Sequence, residues 1–268
     1  MILMSSKTHS RSLRTTVSAG VPSSHLAQRL SALIESAQQS DYLFGSPLGP
    51  FYDEARHHYL PHFVYFGPNS SQASLRLALL AGTGRHDLPA ARALLAFLEG
   101  LVRQPDLGQG LNLSFFPLVN VLGLLGGAEE RDLAGEHWGR SAAPEIDLLA
   151  RDTRLRGYQG FVSVVTTADD VPSAWVRTVL NADVAASDVE LFNSEDFAPW
   201  SVRFESVTAG IVTRGPLSIA EDLPFAPFEI ELALPAAWPQ AQADKVLAAL
   251  LKRLIIRYRG FHAYGQHL

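Results

Sequence analysis

The chain has 268 residues, of which 47% are hydrophobic and 18% are charged, so it is long enough for one large domain with a substantial buried core. A formal net charge of -5 and an isoelectric point near 6.0 exclude the basic surface that a nucleic-acid-binding protein needs. The lack of cysteine excludes disulfides, thiolate catalysis and cysteine-ligated zinc, and it favours a reducing compartment, which we expect to be the cytoplasm.

We expect residues 1–20 to form a disordered or extended N-terminal tail. Their first apolar run is the four residues MILM, which is too short for the apolar region of a signal peptide. No segment reaches the roughly 18 to 20 apolar residues that a membrane helix needs, so we expect no membrane partner. The remaining residues, 21–268, are expected to form a single domain.

The predicted elements begin with a helix over residues 24–39, which Ser23 or Ser24 can cap. Gly and Pro residues between 45 and 50 then predict a loop. Short apolar runs predict strands at 62–66, 75–81, 111–116, 161–166, 202–207 and 228–234. Helical patterns occupy 89–102, 144–155 and 240–259, and Gly260 is expected to end the last helix in a left-handed conformation.

Strands and helices therefore alternate along most of the chain. This alternation predicts an α/β fold, a three-layer α/β/α domain with a central mixed, mostly parallel sheet. The stretch 184–227 has few periodic apolar positions and is expected to hold irregular insertions over the sheet edge. The histidines at 57, 58 and 62 are expected at the surface or at a sheet edge.

Several short segments follow the predicted strands in a distinctive order. They are AGTGRHD at 81–87, PLVNVLG at 117–123, DLAGEHW at 132–138 with Pro-Glu at 144–145, TTADD at 166–170, FEIELALP at 228–235 and YRGFHAY at 258–264. From Phe63 onward this order resembles the zinc carboxypeptidase superfamily, and in particular its succinylglutamate desuccinylase/aspartoacylase-like branch. The resemblance implies a zinc-dependent hydrolase scaffold.

The functional positions of that family hold other residues in this chain. The family's three zinc ligands, His, Glu and His, correspond to Gly84, Asp87 and Thr167. Its carboxylate-binding Asn and Arg correspond to Ala134 and Gly135.

The family's catalytic Glu corresponds to Ala233, and Glu231, on the same strand face, is the one substitute base. Six positions have thus changed while their flanking residues persist. The resemblance implies a catalytically inactive member with no catalytic residue, no cofactor and a binding or regulatory role toward a small molecule or a protein.

Asp87 lies two residues before Pro89, so we expect it to cap the helix that follows. The other polar residues expected to face the former pocket are Arg85, His86, Glu136, His137, Asp169 and Asp170. Two alternatives stay open. In one, His86, Asp87 and Asp169 bind zinc at a relocated site, and the chain cleaves an amide bond in an acyl-amino acid or a peptide with Glu231 as base. In the other, the chain is a structural subunit of an oligomer.

Overall fold

The computed structural model describes residues 21–53, 56–71, 74–125, 131–134, 141–180, 191–208 and 228–265. The helices are α1 (Val21–Gln39), α2 (Leu88–Arg103), α3 (Val121–Leu124), α4 (Pro144–Arg156), α5 (Ser194–Phe197) and α6 (Gln240–Gly265), and a 3-10 turn covers Pro105–Gly108. The strands are β1 (Leu43–Gly45), β2 (Leu48–Asp53), β3 (Arg56–Leu60), β4 (Phe63–Phe66), β5 (Leu75–Ala81), β6 (Leu111–Phe116), β7 (Gly160–Thr167), β8 (Ser173–Leu180), β9 (Ser201–Thr208) and β10 (Phe228–Pro235).

Eight strands form one sheet in the order β1-β4-β6-β5-β7-β10-β8-β9. The pairs β5–β6, β5–β7, β7–β10 and β8–β9 are parallel, whereas β1–β4, β4–β6 and β8–β10 are antiparallel. Strands β2 and β3 form a separate antiparallel hairpin. The predicted α/β fold with a mixed, mostly parallel sheet is therefore confirmed.

The core forms because the central strands present apolar residues to the helices. Along β10 the side chains of Phe228, Ile230, Leu232 and Leu234 are buried, and the Phe228 ring packs against Tyr258 of α6 at a centroid distance of 4.7 Å. Helix α2 packs against α6 and against β5 and β7. Alternate β10 residues face the other side of the sheet, and the strand ends at the edge where the candidate site lies.

All six predicted strands and all four predicted helices are present within a few residues of the predicted bounds. Four details were wrong. Ser23 and Ser24 lie inside α1 and do not precede it, and β2 occupies part of the predicted loop at 45–50. Helix α6 continues through Gly260 to Gly265, and the histidine at 62 is buried with a side-chain exposure of 1%.

Strands β1, β2, β3 and β8 were not predicted. In β8, alternate residues such as Trp175 and Arg177 lie on the polar face of the sheet. Arg177 is buried, and a charged residue at a buried position hides the apolar pattern by which a strand is predicted. The stretch 184–227 contains α5 and β9, and its remaining residues lie outside the described part of the chain, as do residues 1–20. Among the described residues, no helix combines the length and apolar character needed to cross a membrane.

Candidate functional site

The candidate site lies where four parallel strands end. The register pairs Leu80 with Phe116 and Pro235 with Thr167, so β5, β6, β7 and β10 reach the same edge of the sheet. Open α/β sheets present ligand-binding residues at this carboxyl edge. Four of the segments that carried the family resemblance, at 81–87, 117–123, 166–170 and 228–235, include or follow the ends of these strands, so the fold brings their ends together.

Backbone hydrogen bonds join the loops at this edge. The N–H groups of Val119 and Asn120 donate to the carbonyls of Ala81 and Gly82 at 3.0 and 2.7 Å, and the Leu133 N–H donates to the Thr83 carbonyl at 3.1 Å. The turn after β5 is therefore held by the two loops that follow it in the sequence.

Asp87 occupies the centre of this arrangement and is 4% exposed. Its Oδ2 accepts hydrogen bonds from the Gly84 N–H at 2.6 Å and the Thr83 hydroxyl at 3.0 Å. Its Oδ1 accepts from the Thr166 N–H at 2.7 Å, at the end of β7. Both carboxylate oxygens are thus engaged, and the carboxylate links the β5 turn to β7.

Asp87 stands at the predicted N-cap position of α2, but its side chain makes no capping hydrogen bond. The preceding turn and Thr166 take both of its oxygens instead. Burial raises the pKa of Asp87, and this effect is opposed by the hydrogen bonds from Gly84, Thr166 and Thr83. The carboxylate is therefore a desolvated group whose charge is balanced by local donors.

Gly84 is buried directly against this carboxylate. A Cβ atom at position 84 would lie 3.0 Å from the Asp87 Oδ2, 3.3 Å from its Cγ and 3.4 Å from the Cβ of Ala134. Position 84, which the sequence resemblance matches with the family's first histidine ligand, thus has little room for a side chain while Asp87 keeps its place.

Thr167 makes its side-chain contacts with Asp169. The Thr167 hydroxyl lies 3.2 Å from the Asp169 Oδ2 and accepts from the Asp169 N–H at 3.2 Å. Asp169 and Asp170 are both exposed. These contacts shape the turn after β7, with a neutral hydroxyl at the position of the family's second histidine ligand.

Arg85 and His86 are exposed on the turn after β5. The Arg85 Nε donates to the His86 Nε2 at 3.0 Å and lies 3.9 Å from the Asp132 Oδ2. Gly135, Glu136 and His137 fall outside the described residues. Within the described ranges, no three His, Asp or Glu side chains are grouped so that they could hold a metal ion.

Glu231 and Ala233 lie on the same face of β10. Ala233 pairs with Val165 and Ser173, and Glu231 pairs with Ser163 and Trp175. At about 3.3 Å per residue, the Glu231 Cα lies about 7 Å farther from the strand end than the Ala233 Cα. Position 233, two residues before the last residue of β10, therefore carries only a methyl group, and the Glu231 carboxylate starts deeper in the sheet.

Asn120 contributes a structural role that the sequence did not reveal. It is fully buried, its Nδ2 donates to the Arg131 carbonyl at 2.8 Å, and its Oδ1 accepts from the Gly123 N–H at 3.0 Å. A Cβ at position 123 would lie 2.4 Å from the Asn120 Nδ2. The turn therefore needs both Asn120 and Gly123, the two residues that match the family segment.

A buried ion pair supports the same loop. The fully buried Glu145 of α4 accepts a hydrogen bond from the Arg131 Nη2 at 2.6 Å. The Pro-Glu match to the family at 144–145 was the one sequence signal for this contact. The retained residues thus hold the scaffold of the site.

No model of a protein family and no curated protein matches this chain. Solved structures do match. A metallo-carboxypeptidase from Burkholderia cenocepacia has a TM-score of 0.61 at 15% identity, over 87% of this chain and 69% of that chain.

Two further matches show the same fold. A metallo-carboxypeptidase from Pseudomonas aeruginosa, in complex with (2-guanidinoethylmercapto)succinic acid, has a TM-score of 0.58 at 15% identity, over 85% of this chain and 68% of that chain. Bovine thrombin-activatable fibrinolysis inhibitor has a TM-score of 0.57 at 10% identity, over 90% of this chain and 97% of that chain. The chain therefore has a metallo-carboxypeptidase-like fold.

Proposed function

We propose that this protein is a non-catalytic member of the metallo-carboxypeptidase-like group, which binds a small molecule or a protein and does not hydrolyse it. One observation carries the proposal. Both oxygens of the Asp87 carboxylate are bonded to donors of the scaffold, at the place where the family resemblance puts a zinc ligand.

The residues at the three ligand positions do not fit a zinc ion. A catalytic zinc needs about three nitrogen or oxygen ligands and an open position for water. Gly84 has no side chain, and Thr167 offers a neutral hydroxyl that already contacts Asp169. Ligation by Asp87 would break hydrogen bonds from buried N–H groups, which carries a desolvation cost for each donor left unpaired.

The groups that would assist hydrolysis are also missing from the positions nearest the edge. Ala233 cannot transfer a proton, and Ala134 cannot hold a substrate carboxylate or stabilise developing charge. These substitutions remove general-base catalysis and charge stabilisation independently of any metal. Binding needs neither a metal nor a general base, so a binding role remains possible where hydrolysis is not.

Zinc content and hydrolysis should be measured on the same preparation. The protein is dialysed against equimolar zinc, freed of unbound ion and analysed for metal, then assayed with N-acyl amino acids and short peptides. We expect well below one zinc per chain and no hydrolysis above buffer. One zinc per chain, retained in Asp106→Ala and lost in a folded Asp87→Ala or His86→Ala variant, would replace the proposal with the relocated metallohydrolase.

A further inference from the structure

A groove lies far from the candidate site, between the last turns of α2, the 3-10 turn that follows it and the middle of α6. Its volume is about 270 Å³. Ala96, Leu107 and Ala248, which are partly exposed, give it an apolar lining, and the almost fully buried Phe97 and Leu101 border it from below. The groove is therefore a preformed apolar recess.

Gly100 keeps the recess open. A Cβ atom built at this position would have no atom within 4 Å, so the space above it is empty of protein. A glycine inside a helix lowers helix stability relative to alanine, and an alanine would fit here without strain. The chain thus has a glycine and open space at a position where alanine would give a more stable helix.

Two cationic side chains, Arg103 and Lys252, line the same groove. Neither has a carboxylate partner among the residues that the structure describes, whereas the nearby Glu99 is paired with Arg29 at 3.0 Å. Of the described residues that line the groove, none is acidic. In a chain with a formal net charge of -5, this local pair of cations is complementary to an anion.

We propose that this groove binds a small carboxylate with an apolar chain, independently of the function proposed above. The chain would cover Gly100 and contact the apolar lining, and the carboxylate would lie between Arg103 and Lys252. A cavity of about 150 Å³ accommodates the six carbons of benzene, so by proportion this groove of about 270 Å³ has room for about eleven carbon atoms and can hold a chain of eight. It is too small for a helix of a protein partner, whose diameter is about 10 Å.

Sodium octanoate is the probe. The full chain, labelled with ¹⁵N, is titrated with octanoate, and octylammonium and acetate are titrated in parallel. We expect saturable shifts of amide signals in α2 and α6 with octanoate, and binding at least about tenfold weaker with each of the other two ions. Equal binding of octylammonium, or no saturable shift with octanoate, would overturn the proposal.

Two variants locate the site. Gly100→Leu fills the recess with a better helix former, so it should fold and lose octanoate binding. Lys252→Glu should weaken binding by about tenfold, because it removes one attraction and adds one repulsion. Lys245→Glu makes the same charge change at an exposed position of α6 outside the groove. Equal weakening by both Lys variants would mean that net charge alone acts, and would refute the site.

Discussion

The Asp87 carboxylate accepts a hydrogen bond of 2.7 Å from the backbone N–H of Thr166, which lies 79 residues farther along the chain. Through the same side chain the turn after β5 is held by the hydrogen bond from the Gly84 N–H. One buried carboxylate therefore fixes the relative positions of two strand ends at the site. Its function here is structural, so we expect its replacement to weaken the contacts between the two strand ends.

Asp87→Asn should lower the free energy of unfolding by about 2 to 4 kcal/mol, because one amide group cannot accept from all the donors that the carboxylate now satisfies. Urea unfolding followed by circular dichroism measures the change. Asp170→Asn, at an exposed position of the turn after β7, is the control and should change stability by less than about 0.5 kcal/mol. Equal effects in the two variants would contradict the assigned role.

Restoring the family's ligands should create a zinc site without activity. Gly84→His alone should destabilise the fold by about 1 to 3 kcal/mol, because its Cβ meets the Asp87 carboxylate at 3.0 Å. In the triple variant Gly84→His, Asp87→Glu, Thr167→His, the carboxylate moves and three ligands are available.

Calorimetry with zinc tests the triple variant. We expect tighter binding than in the parent chain, and no peptide hydrolysis, because Ala134 and Ala233 remain. Zinc affinity unchanged from the parent would mean that the three strand ends have been matched wrongly to the family.

His62 should make the protein less stable in mild acid. Its Nδ1 donates to the Ser46 carbonyl at 2.9 Å, and its ring stacks on Phe116 at 4.4 Å. Burial lowers the pKa of His62 to about 4, an effect that Asp152 opposes and Arg156 reinforces. The unfolded chain, with an ordinary histidine pKa near 6.5, therefore binds more protons between these two values.

Stability contributed by neutral His62 is complete above about pH 6.5 and declines as the pH falls toward about 4, by up to about 3 kcal/mol. Asp87 acts in the opposite direction, because its raised pKa makes the folded state the stronger proton binder above the ordinary carboxyl value. The measurement is the difference in unfolding free energy between the parent and His62→Gln from pH 7 to pH 4.5. This difference should shrink in acid, and a difference that stays constant over this range would contradict the role assigned to His62.

Glu145→Gln should lower the free energy of unfolding by about 2 kcal/mol, because the fully buried carboxylate is paired with an Arg131 that is 28% exposed. Asp147→Asn is a matched control on the same helix. Its pair with Arg151 is 50 to 67% exposed and should contribute less than about 0.5 kcal/mol. Urea unfolding of both variants distinguishes a buried ion pair from a general effect of removing charge from α4.

Local patterns predicted the elements with the strongest periodicity. Strand β5 and helix α2 were predicted within one residue, because a buried apolar run and an amphipathic repeat are properties of the segment itself. Strand β8 was not predicted because it contains the buried Arg177. This residue pairs at 2.8 Å with Glu229 of β10, which is 52 residues away in the sequence and so cannot be identified from the local pattern.

The site followed the same division. The absence of imidazole and guanidinium groups at the positions that the family resemblance assigns could be predicted from the sequence, because it depends on residue identity alone. The hydrogen bond from Thr166 to Asp87 could not be predicted from the sequence, because only the pairing of β5 with β7 brings the two residues together. The position of Asp87 before α2 predicted a helix cap, but its oxygens accept from Thr83, Gly84 and Thr166 instead.

The tight contact between Gly84 and Asp87 also constrains how this sequence can change. A side chain introduced at position 84 meets the carboxylate, and a replacement at position 87 leaves the Gly84 and Thr166 N–H groups without their acceptor. Each single substitution is therefore harmful, although the two together need not be. The two positions are therefore energetically coupled, and we expect the effects of substitutions at 84 and 87 to be non-additive.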